Sequence, residues 1–251
     1  MNENLPISNG NDSAAQITYD CPKMNLIQRI LGVIFSPGKV MQSLEQKPRI
    51  LFALLLNIIT PIVGIVAVYP MFKEFLRISS EAQAASMNLA ITAEQIESTL
   101  DFSAIFAIVG VVFVIVGSWF LGSLILWGIT KIFKGQGRYK QILSVTGYAA
   151  VISALATIAS IITTQITGVY SEISFTSLAS LIPDMKGSFV YGAAKVLEVF
   201  SIWQYVVIAI GAAAVSKLSK KKVYLIVTFI FACLVIYSGV GEVTAAAALG
   251  R

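Results

Sequence analysis

Five long apolar stretches dominate the chain after its first 49 residues. They cover about residues 50–72, 102–130, 142–167, 199–215 and 223–240. A helix needs about 20 predominantly apolar residues to cross the hydrocarbon layer of a bilayer. The pattern therefore predicts an all-α, polytopic membrane protein, in which residues 50–249 form a bundle of five transmembrane helices.

The chain before the first span divides into a polar part and an amphipathic part. Residues 1–23 are rich in Asn, Ser and Asp without apolar periodicity, which predicts a disordered, polar, cytoplasmic tail. Residues 24–49 are too short to span, and their start predicts an amphipathic helix at the membrane interface, with Gln28 and Arg29 on its polar side. Apolar residues recur there at helical spacing: Met24, Ile27, Ile30, Leu31 and Ile34.

Basic residues lie mainly on one side of the predicted membrane. Thirteen of the 18 Lys and Arg residues precede the first span or occupy the turns after the second and fourth spans. Because Lys and Arg concentrate in cytoplasmic loops, five spans predict a cytoplasmic N-terminus and a C-terminus outside. These cations are also predicted to contact anionic lipid headgroups on the cytoplasmic face, or a membrane or cytoplasmic partner protein. The candidates are Arg29, Lys134, Arg138, Lys140, Lys220, Lys221 and Lys222.

Composition supports the membrane prediction and argues against a nucleic-acid partner. Hydrophobic residues make up 57% of the chain and charged residues 12%, against about 25% charged residues in a typical soluble domain. The net charge of +5 is explained by topology, so no nucleic-acid partner is predicted.

Groups that commonly carry chemistry are scarce in the spans. The chain has no histidine, and no Asp, Glu, Lys or Arg occupies the central part of a predicted span. Ionisable groups at that depth mark ion paths and proton relays, so an ion-coupled transporter or an intramembrane protease is disfavoured. Loop residues such as Asp101, Glu172 and Asp184 could serve an enzyme, but nothing in the sequence places them together. We predict no catalytic residue, no metal and no cofactor.

Polar residues interrupt the first span near its middle. Asn57 and Thr60 precede Pro61, which cannot donate to the carbonyl of Asn57, so a kink is predicted. Asn57 and Pro61 are candidates to line a small cavity. Alternatively, Asn57 or Thr60 satisfies the backbone and bonds a neighbouring helix.

A stripe of hydroxyl residues runs along the third span. It consists of Ser153, Thr157, Ser160 and Thr164. The stripe could line a polar groove, or it could be a packing face, since small and hydroxylated residues let membrane helices approach closely. Gly110 and Gly117 in the second span, and Gly211 in the fourth, suit the same packing role.

The outer loops carry local signals. Thr92 and Gln95 have capping-box spacing, which predicts a short helix from Ala93, and Ile91 and Ile96 are placed for a hydrophobic staple. Lys195 and Glu198 are three residues apart, which predicts an ion pair.

Several segments resemble the Yip-domain family of membrane proteins. They are FSPGKVMQSL from Phe35 to Leu44, IFKGQGRYKQI from Ile132 to Ile142, FSIWQ from Phe200 to Gln204 and SKLSKKK from Ser216 to Lys222. The resemblance covers about residues 25–240 and implies five spans with a cytosolic N-terminus. Eukaryotic members bind Ypt/Rab GTPases in vesicle traffic. This chain lacks a long cytosolic N-terminal domain, and its short tail fits a prokaryotic member in the plasma membrane.

Two hypotheses for function follow. The first is a non-enzymatic membrane organiser or scaffold that binds lipid or a partner protein through its cytoplasmic face. The second is a permease or channel for a small neutral or amphipathic solute, with the polar groups of the first and third spans along the path. An enzyme is the weakest of the alternatives.

Overall fold

A computed structural model describes residues 24–87, 89 and 92–248, and this part of the chain is all-α. The predicted tail, residues 1–23, lies outside the described residues. Five of the described helices are long and apolar enough to cross a membrane, which confirms a polytopic protein with five candidate spans. They are α3 (Ile50–Ala67), α5 (Ala93–Ile132), α6 (Tyr139–Thr167), α8 (Val199–Ser216) and α9 (Lys220–Ala248). The shorter helices are α1 (Leu26–Phe35), α2 (Pro37–Gln46), α4 (Tyr69–Ser86) and α7 (Phe189–Val196).

The first two helices pack into the body of the bundle. Asn25 caps α1 with a reciprocal bond to Gln28, and Pro37 starts α2 at a position where its missing N–H costs nothing. Val40, Met41 and Leu44 on α2 are completely buried, and α2 packs against α8 and α6. Helix α2, the second half of the segment predicted to lie at the interface, therefore seals one end of the core, and the interfacial placement of α1 stays a prediction.

The first span is shorter than the predicted residues 50–72. Helix α3 ends at Ala67, and α4 begins at Tyr69 after Val68 leaves the helical conformation. Helix α4 runs beside the start of α5, where the Lys73 ammonium lies 2.9 Å from Asp101. The hydrogen bond from Lys73 to Asp101 raises the pKa of Lys73 above its usual value. This contact joins α4 to the second span at the end of the bundle that lacks the basic turns.

Helix α5 begins with the predicted capping box. Thr92 Oγ1 accepts from Gln95 N at 3.2 Å, and Gln95 Oε1 accepts from Thr92 N at 2.9 Å. The expected helix at Ala93 is not short, however, since it continues without a break into the second span. Ile91 of the predicted staple lies outside the described residues.

Helix α6 is the centre of the bundle. It packs against α3, α5 and α8, and also against α1. Its N-terminal half is buried almost continuously, with Tyr148 and Ile152 at 0% exposure. Gly147 makes this possible, because a Cβ there would collide with Ala53 on α3 and with Trp119 on α5.

The loop before α8 packs on the C-terminal end of α9. Helix α7, which belongs to this loop, makes its main contact with α9. Glu242 accepts hydrogen bonds from Gly187 N and from Lys195 Nζ, both at 3.1 Å. The predicted pair between Lys195 and Glu198 is therefore wrong. Because α7 is followed by a break at Leu197, the two side chains do not share one helix face.

Glu198 is instead buried and accepts hydrogen bonds from residues of the loop and of α8. It is 8% exposed and caps α8. Its Oε2 accepts from Ser201 N at 3.0 Å and from Ser201 Oγ at 2.7 Å, and its Oε1 accepts from Ser174 and Thr176 hydroxyls. Four donors compensate for the burial of one carboxylate.

Candidate functional sites

The basic turn after α5 and the basic turn after α8 form one surface at the same end of the bundle, next to α1 and α2. We call this end of the bundle the basic end. Gln136 N donates to Ser216 O at 2.9 Å, which joins the turn after α5 to the turn after α8. Trp127 Nε1 donates to Gly137 O at 3.1 Å and anchors the first turn to its own helix. An ion pair between Lys217 and Glu45 ties the second turn to α2.

Two close approaches explain why the first turn contains glycines. A Cβ at Gly135 would lie 2.8 Å from Thr130 O, and a Cβ at Gly137 would lie 2.8 Å from Val215 Cγ1. The segment predicted as a simple turn is thus packed between α5 and α8. Lys134 and Lys217 both adopt the left-handed conformation, which turns the chain sharply at each helix end.

Cations at the basic end are exposed and outnumber the acidic groups. Within residues 24–87, 89 and 92–248, Glu45 is the acidic side chain at this end, and Lys217 already pairs with it. The exposed cations comprise Lys39, Lys47, Arg49, Lys131, Lys134, Arg138, Lys140, Lys217, Lys220, Lys221 and Lys222. The result is an uncompensated positive surface beside the membrane-facing helices.

Helix α1 presents an apolar strip next to this surface. Ile27, Leu31 and Phe35 are spaced four apart and are 68%, 49% and 77% exposed. Arg29 points the other way and is 6% exposed, because α1 packs against α6. Its Nε donates to Met24 O at 3.1 Å. Arg29 was predicted as a polar-side headgroup contact, and its burial removes it from the exposed surface.

A cavity of about 480 Å³ lies between all five spanning helices. Its lining includes Asn57, Thr60 and Pro61 from α3, Ser153 and Thr157 from α6, and Gln204 from α8. At a rise of 1.5 Å per residue, the lining begins about 9 Å and ends about 27 Å from the helix termini at the basic end. The near edge lies at a similar depth in every helix, about 9 to 12 Å, and the far edge lies between about 17 Å on α3 and about 27 Å on α6, so the cavity lies within the spans.

Asn57 contributes an unused polar atom to this cavity. The residue is 8% exposed. Its Nδ2 donates to Ala53 O at 2.8 Å in the same helix, while among the described residues nothing donates to its Oδ1. Asn57 therefore neither bonds a neighbouring helix nor compensates for Pro61, and its carbonyl oxygen remains available inside the bundle.

Other polar groups around the cavity bond one another. Ser153 Oγ donates to Gln204 Oε1 at 2.9 Å, and the Gln204 amide N–H groups make no bond to the described residues. Trp119 Nε1 donates to Thr146 Oγ1 at 3.1 Å, and Ser123 shares a 2.6 Å hydrogen bond with the same hydroxyl. The sequence alone did not mark four of these residues as part of a site, because single polar residues are common in spans and the sequence does not show which of them share a depth. These residues are Gln204, Trp119, Ser123 and Thr146.

The hydroxyl stripe of α6 divides between two environments. Ser153 and Thr157 line the cavity, whereas Ser160 and Thr164 do not. Thr157 also packs against α3, where a Cβ at Gly64 would lie 2.7 Å from Thr157 Cγ2. A transport role for the stripe stays a prediction.

Gly110 and Gly117 are not packing positions. A Cβ at either glycine would meet nothing within 4 Å, and both face outwards from α5. The predicted role is wrong for these two residues. It holds for Gly211, where a Cβ would lie 2.8 Å from Met41 Sδ and would collide with Val145.

The candidate enzyme residues do not form a site. Asp101 is engaged by Lys73 and by Tyr69, while Glu172 and Asp184 are exposed in the loop before α7. In the part of the chain that the structure describes, no group of three His, Cys, Asp or Glu side chains could hold a metal.

Comparison with known proteins identifies one family. The model of the Yip1 domain matches residues 31–241. The chain is 29% identical over 211 residues to membrane protein YknW of Bacillus subtilis (strain 168), an alignment that covers 83% of this chain and 87% of the relative. No solved structure matches.

Proposed function

The chain belongs to the Yip1 domain family of membrane proteins, and from this premise we propose that it is a non-enzymatic membrane organiser that binds anionic lipid headgroups at its basic end. The proposal is carried by the exposed cations around the two turns, which a hydrogen bond joins to each other. Among the described residues, Glu45 is the acidic side chain at this end, and it is already paired with Lys217. Near an anionic surface each Lys or Arg contributes about 1 kcal/mol of attraction.

The apolar strip of α1 supports the same proposal. Ile27, Leu31 and Phe35 are exposed on a helix that packs against α2 and α6, and α2 carries Lys39 of the basic end. An exposed apolar strip next to basic groups is typical of a helix that enters the headgroup region. In this proposal the basic end is cytoplasmic, as the distribution of Lys and Arg predicts.

Lipid retention by the purified full-length chain tests the proposal. Native mass spectrometry would count phosphatidylglycerol and phosphatidylcholine bound to the wild type and to the K220Q/K221Q/K222Q variant. We expect phosphatidylglycerol to bind preferentially, and to bind about 10- to 100-fold more weakly to the variant. K186Q, at the opposite end of the bundle, is the control and keeps wild-type binding.

Two results would contradict lipid binding at this surface. One is equal retention of the two lipids by the wild type. The other is an unchanged preference in the triple variant. If neither lipid binds but an acidic cytoplasmic protein co-purifies in a manner that depends on these lysines, the surface serves a protein partner instead.

A second candidate function rests on the cavity. We propose as the alternative a permease for a small neutral or amphipathic solute, because one cavity touches both Asn57 on α3 and Thr157 on α6. Glycerol permeability of liposomes that contain the protein tests this. A rate above that of empty liposomes, lost in Asn57→Leu, supports transport, and equal rates with and without protein eliminate it for this solute.

A further inference from the structure

We infer that the cavity at the middle of the bundle is a binding site for an uncharged lipid with a hydroxyl headgroup, of the diacylglycerol type, which enters sideways from the bilayer between α5 and α9. The inference deepens the second candidate function by naming the class of ligand and its route. It does not depend on the basic end.

The route follows from the exposure of the cavity lining. Ser118, Gly122 and Ile125 lie on one face of α5 and are exposed, as is Leu234 on the facing part of α9. Helix α5 packs mainly against α3, α6 and α4, and its contact with α9 is slight. At the depth of these residues the surroundings are hydrocarbon. The mouth therefore faces lipid, and a ligand enters from the bilayer rather than from water.

Two small residues of α5, Ser118 and Gly122, line the mouth. A Cβ at Gly122 would meet nothing within 4 Å. Gly122 and Ser118 occupy successive turns of α5, so small side chains line the opening over more than one helical turn. An acyl chain can pass there without displacing a large side chain.

The chemistry of the lining selects an uncharged ligand. No Asp, Glu, Lys or Arg is among the lining residues, so a charged headgroup would lose its hydration without a counter-ion. The Oδ1 of Asn57 is an acceptor, and the Gln204 amide is a donor, without partners among the described residues. A hydroxyl group both donates and accepts, so its chemistry matches the free acceptor and the free donor of this lining.

The size and polarity of the cavity fit one lipid chain with its polar end. The volume of about 480 Å³ lies within the usual range for small-molecule sites, roughly 300–1,000 Å³. Apolar side chains such as Leu56, Leu126 and Ile230 line the remainder. The open mouth allows a second chain to remain in the bilayer.

Photo-crosslinking of the full-length protein in phosphatidylcholine nanodiscs tests the inference. The probe is a diacylglycerol with a diazirine in one acyl chain, and labelled peptides are mapped by mass spectrometry. We expect labelling at residues 115–126 and 227–234, suppressed by unlabelled diacylglycerol but not by phosphatidylglycerol.

Two glycine variants separate the cavity from ordinary lipid contact. Gly122→Phe fills the mouth and is expected to reduce labelling about tenfold. Gly110→Phe places the same side chain on the outward face of α5, where there is also open space, and keeps wild-type labelling. If Gly122→Phe loses its thermal unfolding transition, Asn57→Leu serves in its place, with a roughly fivefold loss expected from one hydrogen bond.

A hydroxyl-blocked probe tests the role of Asn57 directly. Acetylated diacylglycerol cannot donate to Oδ1, so Asn57→Leu and the wild type should bind it equally. The inference is overturned if folded Gly122→Phe labels like the wild type, if phosphatidylglycerol competes equally, or if labelling centres on the outward-facing Phe113 and Val114. K220Q/K221Q/K222Q should leave the labelling unchanged, which separates this inference from the proposal for the basic end.

Discussion

Ser153 on α6 donates a hydrogen bond to Gln204 on α8 across 2.9 Å at the middle of the membrane-spanning bundle. Polar pairs of this kind hold membrane helices together, because hydrocarbon offers no alternative partner. The same pair forms part of the wall of the cavity. One interaction thus serves both the packing of α6 on α8 and the polarity of the cavity.

A double-mutant cycle should detect this pair. Ser153→Ala and Gln204→Leu are each expected to lower the free energy of unfolding, with a coupling of about 0.6 kcal/mol, the average for such pairs in membrane proteins. Unfolding in mixed detergent micelles measures it. Ser160→Ala, two helical turns beyond Ser153 and outside the cavity lining, serves as the control, and a cycle with no coupling would show that the pair contributes nothing.

Gly211 should tolerate no side chain. In Gly211→Ala the new Cβ collides with Val145 and approaches Met41, so we expect a loss of about 1–3 kcal/mol, typical of overpacking. Thermal unfolding in detergent measures the change. Gly110→Ala, in open space on α5, should unfold at or above the wild-type temperature. Equal loss in both variants would contradict the packing described for α2 and α8.

Glu198 should be the more sensitive of two loop carboxylates. Glu198→Ala leaves the donors of Ser201, Ser174 and Thr176 without their acceptor in a buried place, at a cost of about 1–3 kcal/mol. Limited proteolysis of the loop over residues 169–188 should become faster. Glu172→Ala removes an exposed carboxylate and should change neither stability nor cleavage, and the proposed role of Glu198 fails if the two variants behave alike.

Cysteine labelling should place the two basic turns on one side of the membrane. In a Cys21→Ser/Cys233→Ser background, Lys186→Cys should react with a membrane-impermeant maleimide in intact cells. Lys134→Cys and Lys221→Cys should react only after lysis, because the basic end is predicted to be cytoplasmic. Reaction of both Lys134→Cys and Lys186→Cys in intact cells would overturn the arrangement of spans.

Much of the architecture could be predicted from apolar runs and charge. The five stretches predicted five spanning helices, and the resemblance seen in segments such as Phe35 to Leu44 is confirmed by the family match over residues 31–241. The Thr92–Gln95 capping box formed as the spacing predicts. The Lys195–Glu198 pair, at the same spacing, did not, because the helix breaks at Leu197 between the two residues. Predicted ends of helices were less accurate, since Val68 ends α3 before residue 72, and α5 begins at Ala93 instead of near residue 102.

The candidate sites depended more on contacts between distant residues. Arg29 looked like a surface residue from helical spacing alone, yet α1 turns it towards α6. Gly110 and Gly211 looked equivalent, but only Gly211 meets another helix closely. Helical periodicity gives the relative angle between residues of one helix and does not give the angle at which that helix faces its neighbours.

The sequence by itself determined that this chain crosses the membrane in five helices with its cations grouped at alternate turns, because hydrophobicity and charge act on each segment separately. Only the tertiary structure decided that Asn57, Ser153, Thr157 and Gln204 surround one cavity, and that α1 buries Arg29 while exposing Phe35. Those outcomes depend on how the helices are rotated and packed, which is set by shape complementarity among residues far apart in the chain.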